Sequence, residues 1–192
     1  MFFKYVSLLI FAASAIAGTI TPGTYQIVNV ASDSAARAYD GPGLVFVSSY
    51  RDLAGWFELW DISDAKDGGY TIANVGLNMI YMLDTSAAVF SPDNGELQLI
   101  RTSLAPTVFN IESAGNGEYV IKLPNEDLLW NAEPPVVPYG DVKLRPANGD
   151  STEHWRLIPA RAPGSAHASP NHNYDRWDLP VQRIPGRFLG QV

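Results

Sequence analysis

Three segments of this chain say nearly the same thing: "GTYQI" from Gly23, "GGYTI" from Gly68 and "GEYVI" from Gly117. Their tyrosines, Tyr25, Tyr70 and Tyr119, stand 45 and 49 residues apart. Self-similarity at such a period implies one supersecondary unit reused along the chain, so it constrains the fold before any single strand is argued. A second series of anchors lies downstream: Phe57 in "WFELW", Phe109 in "VFNIE" and Trp155 in "HWRLI", each followed two residues later by Leu or Ile.

Between the anchors each unit carries two more strand-like runs. These are 36–39 and 44–49 in the first, 79–83 and 97–102 in the second, and 128–132 and 141–145 in the third. They are short and rich in β-branched and aromatic residues, with the turn formers "DGPG", "PDNG" and "PANGD" nearby. No stretch of 19–160 sustains a helical period of apolar residues. The expectation is an all-β chain of twelve strands in three units of four. A pseudo-threefold closed barrel capped by three hairpins, the β-trefoil, satisfies that count; the competing reading is a non-symmetric sandwich whose segments are alike by chance. The first and fourth strands of each unit then form barrel wall, and the middle two form the cap. Because strand side chains alternate with period two, Tyr-x-Ile and aromatic-x-Leu/Ile would aim alternate residues inward.

Residues 1–18 do not read as part of this domain. Lys4, the apolar "VSLLIFAASAIA" and the small-x-small Ala15-Ile16-Ala17 describe an export signal cleaved after Ala17 or Gly18. The apolar run is too short for a membrane span, and no later run is long enough. The mature protein is therefore expected to be secreted, soluble and monomeric, without a membrane partner. Residues 161–192, with Pro163, Pro170, Pro180 and Pro185 among small polar residues, read as a flexible C-terminal tail. Within that tail, Trp177, Ile184, Phe188 and Leu189 are apolar enough to dock on the domain or on a partner.

Composition removes several functions. There are no cysteines, which excludes disulfides, thiol catalysis and Cys-ligated metal. Residues 19–160 carry 8 Lys and Arg against 18 Asp and Glu, a balance of −10. Phosphate backbones would be repelled, so nucleic acid is not an expected partner. The histidines are His154, His167 and His172, two of them in the tail. No nucleophile elbow, zinc-binding helix or phosphate loop appears. "DISDAKDGG" faintly suggests a calcium loop, but Ile72 stands where the closing Glu is needed. Neither an enzyme nor a metal or cofactor is expected.

With these residues laid out, the chain resembles the fungal β-trefoil serine protease inhibitors, the cospin- and cnispin-like group. The resemblance spans about 22–160 and lies in "PGTYQIVN", "GGYTIANVGL" and the closing "STEHWRLIPA", where Glu153 replaces the usual Gln of a Gln-x-Trp segment. It implies inhibition of a secreted protease, serine type before cysteine type, by a rigid exposed loop and with no cofactor. Carried over, the reactive loop is Tyr39, Asp40, Gly41, Pro42 and Gly43, with Asp40 as specificity residue. Asp40 suits a pocket that accepts acidic residues better than a trypsin-type pocket with a carboxylate floor. The third unit offers a second loop, Pro134, Pro135, Val136, Val137 and Pro138, stiffened by its prolines. Arg37 is a further candidate. For both loops the competing reading is a turn with no partner.

A ricin-B-like carbohydrate-binding trefoil is the alternative. Trp56, Trp60, Tyr81 and Trp130 would offer ring faces for glycans, with Asp61, Asp84 and Asn131 as polar partners. Against it, "AGW", "TVF" and "EHW" stand where such lectins carry Gln-x-Trp.

Overall fold

The computed structural model describes residues 20–39, 43–48, 55–82, 84–91, 98–134 and 139–160. The chain divides into two units, Met1–Ala160 and Arg161–Val192, and all the described residues belong to the first. The export signal and the tail lie outside them.

Six strands make a ring: β1 (Gly23–Asn29), β4 (Leu59–Asp64), β5 (Tyr70–Asn74), β8 (Asn110–Gly115), β9 (Glu118–Lys122) and β13 (Trp155–Pro159). Antiparallel pairing runs β13 to β1, β1 to β4, β4 to β5, β8 to β9 and β9 to β13. Tyr70 and Phe109 close the circle between β5 and β8 by exchanging both backbone hydrogen bonds, at 2.8 and 2.9 Å. Closure leaves no barrel edge unpaired. The tight turns suit the sequence. Between β8 and β9, Asn116 and Gly117 take positive φ values of 54° and 78°, as a two-residue hairpin turn requires.

The caps are β2 (Ser34–Arg37) with β3 (Phe46–Ser48), β6 (Ser86–Phe90) with β7 (Leu99–Ser103), and β10 (Leu128–Asn131) with β12 (Lys143–Pro146). A short β11 (Tyr139–Asp141) precedes β12, and the break at Val142 makes thirteen strands among the described residues where twelve were expected. That break is part of the symmetry. Val45 N donates to Ile100 O, Ile100 N to Val142 O, and Val142 N to Val45 O, at 2.8–2.9 Å. These three bonds form a closed cycle in which each unit gives and receives one. The fold is a β-trefoil.

The repeated tyrosines occupy equivalent places. Tyr25 lies opposite Trp60, Tyr70 opposite Phe109, and Tyr119 opposite Trp155. Ile27, Ile72 and Ile121, two residues on, are fully buried, as are Trp60, Phe109 and Trp155. Each such side chain contributes roughly 1.5–3 kcal/mol relative to exposure. The register corrects one anchor: the first-unit aromatic is Trp60, followed by the buried Ile62, and not Phe57. The counterparts of Gln-x-Trp are therefore "ELW" from Glu58, "TVF" from Thr107 and "EHW" from Glu153, and "AGW" has no part in the series.

A second correction concerns 79–83, expected as a strand. The observed element is a helix, α1 (Val75–Tyr81), which ends in Met82 at φ 50°. The second unit's hairpin begins later, at Ser86. Asn74 is what starts the helix: its Oδ1 accepts the Leu77 N–H at 3.0 Å, an N-cap. Asn74 Nδ2 meanwhile donates to Phe57 O at 3.0 Å. A Cβ on Gly76 would come within 2.8 Å of Phe57 N, so only glycine lets α1 rest on the 3-10 turn Gly55–Glu58.

Candidate functional site

The structure brings described ends of the two loops singled out in the sequence to one corner of the cap. β3 pairs with β11, placing Tyr139 opposite Ser48 and Asp141 opposite Phe46. Tyr39, where the first loop leaves β2, packs on Phe46 with ring centroids 5.4 Å apart. Tyr139, where the second loop re-enters, meets the same Phe46 edge-on at 5.9 Å. Tyr39 also stands edge-on to Phe57 at 5.2 Å. One phenylalanine therefore contacts a described end of each loop.

Their other ends are fastened too. Gly43 N donates to Thr102 Oγ1 at 3.1 Å, and Gly43 O accepts from Thr102 N at 2.8 Å. Glu133, just before the second loop, pairs with Arg145 at 2.6 Å. Pro134 is exposed. Asp40, Gly41 and Pro42 lie outside the described residues, as do Pro135, Val136, Val137 and Pro138, so of the candidate loop residues only Tyr39, Gly43 and Pro134 can be placed.

Under the corner sits a charged pair. Arg37 is 3% exposed and its Nη2 is 3.4 Å from Glu58 Oε2, while Gln26 Nε2 donates to Glu58 Oε1 at 2.5 Å. Burial pushes the Glu58 carboxyl above its ordinary range, and the Arg37 guanidinium and the Gln26 amide pull it partly back. A protease cleft cannot reach Arg37, which removes it as a reactive-site candidate.

The proposed sugar-facing residues divide sharply. Trp60 and Trp130 are fully buried and cannot offer a ring face. Trp60 Nε1 donates to Ala36 O at 2.9 Å, and Trp130 packs edge-on to Phe109 and Trp155 at 5.3 and 6.1 Å. Asn131 is 3% exposed and donates to Thr152 Oγ1 at 2.8 Å, a structural bond. Trp56 is half-buried in the 3-10 turn. Tyr81 and Asp84 are exposed, both in the connection between β5 and β6. Asp61 is exposed and accepts from Thr24 Oγ1. His154 is half-buried with Nδ1 2.9 Å from Glu118 Oε2 at the barrel, a packed histidine.

Tyr139 was missed by the sequence reading. It is 64% exposed, and Asp141, two residues on, lies on the same side of β11. A ring held edge-on by Phe46, with a carboxylate beside it, can stack on an apolar face and accept hydroxyl protons. "YGD" after a proline-rich loop was the available signal. Pairing with β3 is what sets Tyr139 against Phe46.

No family model matches this chain, and no curated protein matches it. Solved structures do match. The Macrolepiota procera ricin B-like lectin in complex with lactose superposes with a TM-score of 0.61 at 13% identity, over 74% of this chain and 99% of that one. The Rhizoctonia solani agglutinin gives 0.62 at 16%, over 74% and 98%. SeviL bound to asialo-GM1 saccharide gives 0.54 at 17%, over 73% and 100%. At these identities the likeness carries the fold.

Proposed function

We propose that this chain is a carbohydrate-binding β-trefoil whose sugar contact is the Tyr139–Asp141 corner. The observation that carries this reading is an exposed tyrosine ring, braced by Phe46, on the same strand face as a carboxylate. Aromatic stacking with a few placed polar groups is what a small-ligand site needs. The trefoil neighbours with lactose and with asialo-GM1 saccharide bound support glycans as the class to test, and lactose as the first probe. On a glycan array the wild type is expected to bind selectively, and Tyr139→Ala to lose at least tenfold. Uniform silence of the wild type across the array would end this reading.

Inhibition of a serine-type protease is the second reading, and one observation favours it. The described residues that flank the two loops lie near one another, Tyr39 and Tyr139 on Phe46, with Gly43 held by Thr102 and Glu133 by Arg145. Each loop side chain immobilised on binding costs about 0.5–1.5 kcal/mol, so anchored loop ends favour this use. A protease panel with Asp40→Arg alongside wild type tests it. A shift toward trypsin-like targets supports it, and flat activity throughout discards it.

A further inference from the structure

The connection between β5 and β6 departs furthest from threefold symmetry. The first unit joins the equivalent strands with 30–33 and the third with 123–127, whereas the second uses 75–85. This insertion is firmly built at its base. Asn74 caps α1, Leu77 is fully buried, and Gly76 rests against Phe57. Asn78 Oδ1 accepts both the N–H and the hydroxyl of Thr85, at 2.8 and 3.0 Å, and so draws the two ends together.

The outer end is apolar. Met79, Ile80, Tyr81 and Met82 are 56, 54, 52 and 90% exposed. No charged residue occurs from 75 to 82, and Asp84 is the first beyond them. At ~200 Å² for a full large side chain, these exposures amount to about 500 Å² of contiguous surface, in the range that marks an interaction site.

Shape, area and charge select the occupant. A groove that receives a helix reads anchors at i, i+3, i+4 and i+7, whereas these four are consecutive and wrap the helix end as a tip. A twofold contact through the tip would bury about 1,000 Å², short of the ~1,200–2,000 Å² of a stable dimer. The tip has no Lys or Arg with which to hold anionic headgroups, and residues 19–160 carry a balance of −10. An uncharged surface of great extent fits all three. Tyrosine and methionine at a helix end suit the layer between headgroups and acyl chains.

We infer that the tip Met79–Met82 is a membrane-docking element that seats in the interfacial layer of a zwitterionic lipid bilayer. The sequence expectation of no membrane partner rested on the lack of a spanning segment, and a peripheral seat requires none. Leu77 and Gly76 hold the tip from beneath, so docking needs no rearrangement of the barrel. This inference stands apart from sugar binding.

Co-sedimentation with phosphatidylcholine vesicles free of glycolipid is the test, using residues 19–192, which retain every described element. The chain is expected to sediment with these vesicles, and less when phosphatidylserine replaces part of the lipid. The double variant Ile80→Asp/Met82→Asp should bind at least tenfold more weakly with an unchanged thermal midpoint. In Tyr81→Trp, brominated lipid should quench the added fluorescence. The inference is overturned if the wild type stays in the supernatant, if the folded double variant sediments equally, or if the added fluorescence is not quenched. A wild-type dimer that the double variant abolishes, without vesicle binding, assigns the tip to a second copy and also overturns it.

Discussion

Two glutamates, Glu58 and Glu153, stand two residues before a barrel tryptophan, and their surroundings give them different work. Glu153 is 3% exposed and accepts the N–H groups of Asn148 and Gly149 at 3.0 and 2.7 Å, closing the turn ahead of β13. Thr107 supplies the matching oxygen in the second unit, accepting from Val89 N at 3.0 Å. Glu58 instead faces Arg37 and Gln26 and is held above its ordinary range by burial. A carboxyl whose folded pKa exceeds its unfolded value takes up protons on folding. Its contribution favours the fold most below the unfolded value and is lost as pH rises through the folded one. In urea unfolding, the wild-type stability minus that of Glu58→Gln is expected to fall as pH is raised from about 4 through the raised Glu58 value. A difference that stays level or climbs contradicts this account. Glu153 could be picked out in sequence from its place before Trp155. Glu58 could not, because Phe57 looked the better anchor until pairing opposite Tyr25 selected Trp60.

Short elements are tied together by two asparagines in equivalent positions, each four residues after a repeated tyrosine. Asn29 Nδ2 donates to Thr152 O at 2.8 Å, in the 3-10 turn Ser151–Glu153, and its Oδ1 accepts Ser32 N and Oγ. Asn74 Nδ2 donates to Phe57 O in the turn Gly55–Glu58. Each asparagine thus binds the turn that closes the preceding unit, the third unit preceding the first around the ring. In the third unit Leu123 stands at this place, and the segment before Phe109 forms no 3-10 turn. The asparagine and the turn it would bind are absent together. Asn29→Ala leaves Thr152 O and Ser32 N without this partner, and a loss of ~1–3 kcal/mol is expected in chemical denaturation. A variant as stable as wild type would show that the tie is idle. The strand-like run 79–83 was misread for a related reason. Its apolar residues look buried in sequence, yet Asn74 diverts the backbone into α1 and leaves Met79–Met82 outside.

At the level of the whole molecule, the backbone cycle of Val45, Ile100 and Val142 fixes which residues correspond among units. Counting back three and one from each gives Pro42 and Leu44, Leu97 and Leu99, and Tyr139 and Asp141. Only the third unit places an aromatic ring beside a carboxylate there. The core is unequal too: Ala36 and Ala87 occupy the places where the third unit sets Trp130. Threefold architecture therefore carries this aromatic–carboxylate pair once. If the sugar reading holds, calorimetric titration with lactose or the best array ligand is expected to give one site per chain. Three equal sites would place binding elsewhere.

The recurrence of Gly-x-Tyr-x-Ile, with the strand-like runs and turns between, pointed to an all-β, three-unit trefoil, because alternating strands in a repeated wall give those spacings a common use. Local pattern also marked both loops and the turns beside them. Only the packed chain decided that Tyr39 and Tyr139 meet on Phe46, that Trp60 and Trp130 are core, and that Met79–Met82 face outward. Whether an aromatic fills the interior or stands at a surface depends on what lies across from it in space, and strands far apart in sequence supply that neighbour.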